Sequence, residues 1–107
     1  METAKNKALN DLRVLDLAGS GGVYCTKLLA DLGADVIKIE PPGGDSMRQI
    51  GPFYHDEIHP EKSLYFWHFN TSKKSITLNL NMADGREIFK KLVKKADIIV
   101  EKTNCEE

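Results

Sequence analysis

The 107 residues hold two cysteines, Cys25 and Cys105, and no Cys-x-x-Cys. Two cysteines this far apart make no small-domain disulfide framework, so both read as reduced thiols. Long apolar runs are missing too. None approaches the roughly 20 residues of a membrane span, and the opening Met-Glu-Thr-Ala-Lys-Asn-Lys lacks the apolar core of a signal peptide. The expectation is a soluble, cytoplasmic protein. There is no excess of charge: 15 Lys plus Arg stand against 16 Asp plus Glu, a net −1. That balance gives no general pull toward nucleic acid or an anionic membrane. The absence of Gly-x-x-x-x-Gly-Lys-Ser/Thr removes a P-loop nucleotide site, and no internal repeat, heptad or low-complexity tract points to an array or a coiled coil. One domain remains, with a hydrophobic fraction of 41% that suits a modest core.

Arg13 to Glu40 organises the rest of the chain. Val14, Leu15 and Leu17, then Val36, Ile37 and Ile39, are the short apolar runs of strands buried on both faces, which implies a parallel pair. Between them Cys25, Leu28, Leu29 and Leu32 follow helical spacing and predict the buried stripe of a helix. Gly33 falls where a helix end needs positive φ. A right-handed crossover then sets Gly19-Ser20-Gly21-Gly22 at the carboxyl edge of the first strand, facing the helix N-terminus.

The flanking segments are read by the same rules. Residues 1–10 are polar and unpatterned, a frayed lead-in, and residues 11–107 form the domain. Pro41-Pro42-Gly43-Gly44-Asp45 stops the second strand, and no period survives from Pro41 to Lys62, so that loop is expected to be functional or mobile. Ser63 is placed to cap a short aromatic helix through Tyr65, Phe66, Trp67 and Phe69. Ser75 to Leu80 alternates as a strand toward one edge, Ala83 to Lys95 as an amphipathic helix, and Asp97 to Glu101 reads as a buried strand. The order is β-α-β, loop and helix, β-α-β: an α/β, Rossmann-like fold with a mostly parallel sheet of roughly four strands and flanking helices.

Several clusters could carry chemistry. The glycine turn can offer backbone N–H groups to a phosphate, although a tight turn needs the same residues. The dinucleotide fingerprint is half present: Tyr24 stands where the third glycine belongs, while Glu40 sits where an acid would hold a ribose. His55-Asp-Glu-Ile-His59 lacks the order and the regular helix of a metal motif and reads as a solvated loop, so no metal is expected. Lys73 and Lys74, beside Asn70 and Ser72, could meet a phosphate, but turn lysines are more often solvated.

An ordered set of motifs goes further. Leu29 to Asp45 with Arg48, then Tyr65-Phe66, Asn70-x-x-Lys73-Lys74-Ser75-Ile76-Thr77-Leu78, Asp84-Gly85-Arg86-Glu87 and Ala96 to Glu101 closely resemble the N-terminal region of the class III coenzyme A transferases. That family includes formyl-CoA and carnitine CoA-transferases, with α-methylacyl-CoA racemase as a relative. The resemblance implies that residues 11–107 are the N-terminal, CoA-binding part of a truncated family III domain. It also implies acyl-CoA as substrate with no permanently bound cofactor, and a homodimer or a partner chain. By position, Ser20, Gly21 and Gly22 would line a loop near the CoA pyrophosphate, and Leu78 and Asn81 would flank the adenine. Lys74 would be a further binding residue where the family usually has arginine; Val23 replaces a common proline and Lys102 a usual asparagine. The family nucleophile is a downstream aspartate that forms an anhydride with the acyl group, so no catalytic residue is expected here and the chain alone is expected to be inactive. The rival readings are a dinucleotide-type Rossmann fragment and a noncatalytic subunit that completes a partner chain.

Overall fold

Four parallel strands, in the order β3-β2-β1-β4, carry the fold in the computed structural model, which describes residues 7–102. The strands are β1 (Arg13–Leu17), β2 (Asp35–Glu40), β3 (Lys74–Thr77) and β4 (Ile98–Glu101); the helices are α1 (Val23–Asp31), α2 (Leu64–Phe69) and α3 (Ala83–Val93). β1 is central, in register with β2 from Arg13↔Asp35 to Asp16↔Lys38 and with β4 from Val14↔Ile98 to Leu17↔Glu101. The α/β reading therefore holds, with every pairing parallel. From β1 the chain steps outward to β2 and β3 and then crosses back to β4, so the order of travel reverses between β1 and β4. Their carboxyl ends flank the switch point, where such sheets bind ligands.

Val14 and Val36 on the sheet and Ala30 and Ala34 from α1 and its exit form one buried cluster, bordered by Leu9, Leu12, Leu29, Ile98 and Val100. Here the leucine stripe expected for α1 is corrected: Cys25, Leu28 and Leu32 are exposed, while Val23, Thr26 and Ala30 are buried. The reason is a polar anchor. Thr26 Oγ1 donates to Asp16 Oδ2 at 2.8 Å, and the small Ala30 lets the helix settle close to the sheet, turning Leu28 and Leu32 outward while Leu29 still borders the core. Gly33 has φ +107, as the helix exit required. Leu9 N donates to Leu32 O at 3.0 Å and Leu9 packs on the core, so residues 7–10, expected to fray, are part of the fold; residues 1–6 and Cys105 lie outside the described residues.

The long loop is built rather than shapeless. It contains two short 3-10 turns, Ser46–Gln49 and Tyr54–Asp56, and Met47 is fully buried with Val23 and Phe66 in a second cluster. Ser63 fastens it. Its hydroxyl accepts from Phe66 N at 3.0 Å, the helix cap expected, and donates to Ile50 O at 2.6 Å.

Two strands differ from expectation. β3 ends at Thr77, not Leu80, because its partner ends at Glu40 and the next residue, Pro41, has no N–H to continue the ladder. Leu78 N still reaches Glu40 O at 3.0 Å, and Leu78 to Asn81 then peel away from the sheet. β4, expected to be buried, lies at the sheet's edge with Ile99 exposed. α3 stops at Val93 rather than Lys95; Phe89, Leu92 and Val93 are half-buried and Ile88 is exposed.

Candidate functional site

A cleft of about 530 Å³ opens at the carboxyl edge. Its floor is Asp16 and Leu17 from β1 and Lys38 to Glu40 from β2; its walls are Gly19, Pro41, Pro42 and Gly44 to Ser46 on one side and Leu78 to Asn81 on the other. Leu17, Ile39, the two prolines, Leu78 and Leu80 offer apolar surface. Gln49, Asn79 and Asn81 add neutral donors and acceptors.

The charges in this cleft are all spoken for. Lys38, 2% exposed, pairs with Asp45 Oδ2 at 2.9 Å. Glu40, 3% exposed, receives Arg48 Nε at 2.6 Å and Nη2 at 2.7 Å, the Asp45 N–H at 2.8 Å and the Ser75 hydroxyl. Burial alone would raise the Glu40 pKa, but the Arg48 and Ser75 hydrogen bonds, the Asp45 N–H and the Arg48 charge outweigh it and bring it down to about 2. The Arg48 guanidinium also lies 3.9 Å from the centre of the Phe66 ring. Asp16, fully buried, accepts from Ala18 N at 3.0 Å through Oδ1 and from Thr26 Oγ1 and Lys73 Nζ, both at 2.8 Å, through Oδ2. Burial pulls the Lys73 pKa down, and the Asp16 carboxylate offsets part of that pull. Removing one partner of such a buried pair typically costs about 3–5 kcal/mol. The cleft thus presents no free charge of either sign, and its neutral donors and acceptors can hydrogen-bond an uncharged group.

Beside it, Gly19–Gly21 forms a 3-10 turn that runs into α1. Gly19 sits at φ +58. A Cβ on Gly22 would come 2.6 Å from Ala18 Cβ, and one on Gly21 would come 2.7 Å from Cδ of Lys102, so the Lys102 side chain lies across the turn. The helix N-terminus and an exposed lysine therefore share one surface.

Residues 9–106 match CoA-transferase family III. The chain belongs to that family. A succinyl-CoA:mesaconate CoA-transferase of Haloarcula marismortui is 50% identical over 95 residues, 88% of this chain and 24% of that protein. A formyl-CoA:oxalate CoA-transferase of Escherichia coli is 45% identical over 95 residues, 87% of this chain and 22% of that protein. A CAIB/BAIF family protein from Brucella suis superposes with a TM-score of 0.81 at 40% identity, over 90% of this chain and 26% of that one. The chain spans about a quarter of the length of these relatives.

Seen as a family III CoA-transferase segment, the chain brings some of the expected binding residues together and leaves one out. Leu78 and Asn81 line the cleft with Gly19, and Ser20, Gly21 and Gly22 form the turn beside it. Lys74 is elsewhere: it opens β3, is 73% exposed and reaches Asp35 Oδ1 at 3.0 Å, toward the amino end of β2. Glu40 is also removed from the role a dinucleotide would need, since its carboxylate is buried and fully engaged. Two features escape a reading of the sequence. The Asp16–Lys73 and Lys38–Asp45 pairs link residues by folding rather than by motif. Lys102 could have been found, because it directly follows β4, whose carboxyl end must lie beside that of β1 in this topology.

Among the described residues no helix is long and apolar enough to cross a membrane.

Proposed function

We propose that this chain is the CoA-binding N-terminal part of a transferase that moves CoA between an acyl-CoA and a carboxylic acid. The observation that carries the reading is the uncharged-ligand cleft lying directly beside a cationic, N–H-rich turn. The adenine occupies the cleft against Leu78 and Asn81, while the pyrophosphate lies over Gly19–Gly22 with Lys102 as counter-charge. This division fits CoA, which carries its flat neutral ring and its phosphates on adjoining segments. The reaction proceeds when an aspartate carboxylate, supplied outside this chain, attacks the thioester carbonyl, forming a mixed anhydride and releasing the CoA thiolate. The protein acts in the cytoplasm, as a homodimer or with a partner chain. Titration calorimetry with CoA tests the binding. Saturable uptake of CoA and none of a nicotinamide dinucleotide is expected, with Gly21→Val weakening it more than Ser20→Ala; uptake of the dinucleotide alone would favour the rival Rossmann reading.

Exposed Ile88 and Ile99, with β4 at the sheet's edge, favour a rival reading. The chain then completes a larger assembly as a noncatalytic subunit. Gel filtration with a candidate C-terminal partner separates the two, since a self-sufficient binder elutes unchanged.

A further inference from the structure

The Lys73 ammonium has three acceptors: Asp16 Oδ2 at 2.8 Å, Asn70 Oδ1 at 2.9 Å and the carbonyl of Val23 at 3.3 Å. They belong to β1, to the residue that ends α2, and to the first turn of α1. One side chain, 2% exposed and 57 positions from its carboxylate partner, thereby ties together three elements immediately behind the glycine turn. The partner matters as much as the lysine. Asp16 Oδ1 accepts from Ala18 N, the residue from which the turn starts, and Oδ2 holds Thr26 on α1, so the carboxylate brackets the segment from Ala18 to Thr26 that contains the turn. A bare carboxylate in that place would have to draw in water or swing toward the cleft it lines, and either movement releases Ala18.

We propose that Lys73 is a positioning residue for the glycine turn: by neutralising buried Asp16 it holds the Asp16–Ala18 hydrogen bond, and with it the backbone of Gly19 to Gly21, in the arrangement that receives a ligand's phosphates. Lys73 touches no ligand itself. It acts through Asp16, and its importance lies in what it prevents. The ligand half of this inference rests on the CoA reading, whereas the geometric half does not.

The test compares the full chain with Lys73→Met and with the charge-neutral pair Asp16→Asn/Lys73→Met, in which the carboxamide oxygen introduced on β1 can still accept from Ala18 N. Two readouts are taken: amide chemical shifts and exchange rates without ligand, and calorimetric affinity for CoA. In Lys73→Met the amides of Ala18 to Gly22 should move and exchange faster while those of Gly33 and Ala34, at the far end of α1, stay put, and CoA affinity should fall by about tenfold. The double variant should restore both. A merely structural lysine predicts the opposite pattern, with the double variant no better than the single one and the shifts spread over the whole sheet; that result, or an unmoved turn in Lys73→Met, overturns the proposal. Should Lys73→Met not fold, the double variant decides alone: turn amides at their native shifts support neutralisation as the role of Lys73, and displaced ones refute it. A native chain with no CoA uptake would sink the CoA reading and leave the amide comparison standing.

Discussion

Gly85 shows how a single residue can obey a rule other than the obvious one. It lies in the first turns of α3, where alanine would favour the helix by about 1 kcal/mol. A Cβ there, however, would fall 2.0 Å from the carbonyl oxygen of Asn79, and a backbone oxygen has no rotamer by which to step aside. Overpacking of this kind costs about 1–3 kcal/mol, so the clash wins. Gly85→Ala should lower the midpoint of thermal unfolding by several degrees, and it should weaken CoA binding, because Asn79 belongs to the wall of the cleft. A raised midpoint would show that the Leu78–Asn81 segment yields freely. From sequence, Asp84-Gly85-Arg86-Glu87 was legible only as a motif. Its reason is a contact with a backbone six positions upstream, which no period reveals. Lys73 is similar: its spacing from Asn70 was visible, but Asp16 lies on β1, 57 positions away.

At the scale of elements, the helix exit at Gly33 and the Ser63 cap were legible because each depends on residues within a few positions of one another, and the parallel pair β1 and β2 because each strand carries its own short apolar run. The buried face of α1 was not. Hydrophobic spacing favoured the leucines, and a hydroxyl-to-carboxylate bond formed only in the folded chain overrode it. The shape of the loop from Pro41 to Lys62 was hidden for the same reason, since it is set by Glu40 gripping Arg48 and the Asp45 N–H, an acid at a strand end organising the turn that follows. That grip should be visible as pH dependence. The folded pKa of Glu40, about 2, lies below its ordinary 4.5, so the folded state holds this proton more weakly than the unfolded chain. The stabilisation is complete above about pH 4.5 and disappears as the pH falls toward 2. Glu40→Gln should therefore be less stable than the native chain at pH 7, on the order of 3 kcal/mol by the linkage relation, and the gap should close in acid. Denaturant unfolding across that range measures it; a gap that persists at pH 2 would mean that shape rather than charge holds the loop.

For the molecule as a whole, the question is whether a complete reaction centre exists within these residues. Thioester exchange by covalent catalysis needs a carboxylate free to attack a carbonyl carbon, with donors ready for the oxyanion. Three acids line the cleft, and each is already committed: Asp16 to Lys73, Glu40 to Arg48, and Asp45 to Lys38. Freeing any of them would leave a buried cation uncompensated as well as abandoning hydrogen bonds to the turns that shape the cleft, a cost of several kcal/mol before chemistry begins. What the fold has arranged at the carboxyl edge is a cleft whose charges are neutralised in place by these three pairs. The purified chain, incubated with acyl-CoA and hydroxylamine, should accordingly yield no acyl hydroxamate above the rate without protein, even where calorimetry finds CoA bound. Hydroxamate formed faster than that background, and abolished by Asp16→Asn or Asp45→Asn in a variant that still folds, would mean that one of these carboxylates leaves its partner during the reaction and that the centre is complete without further chain.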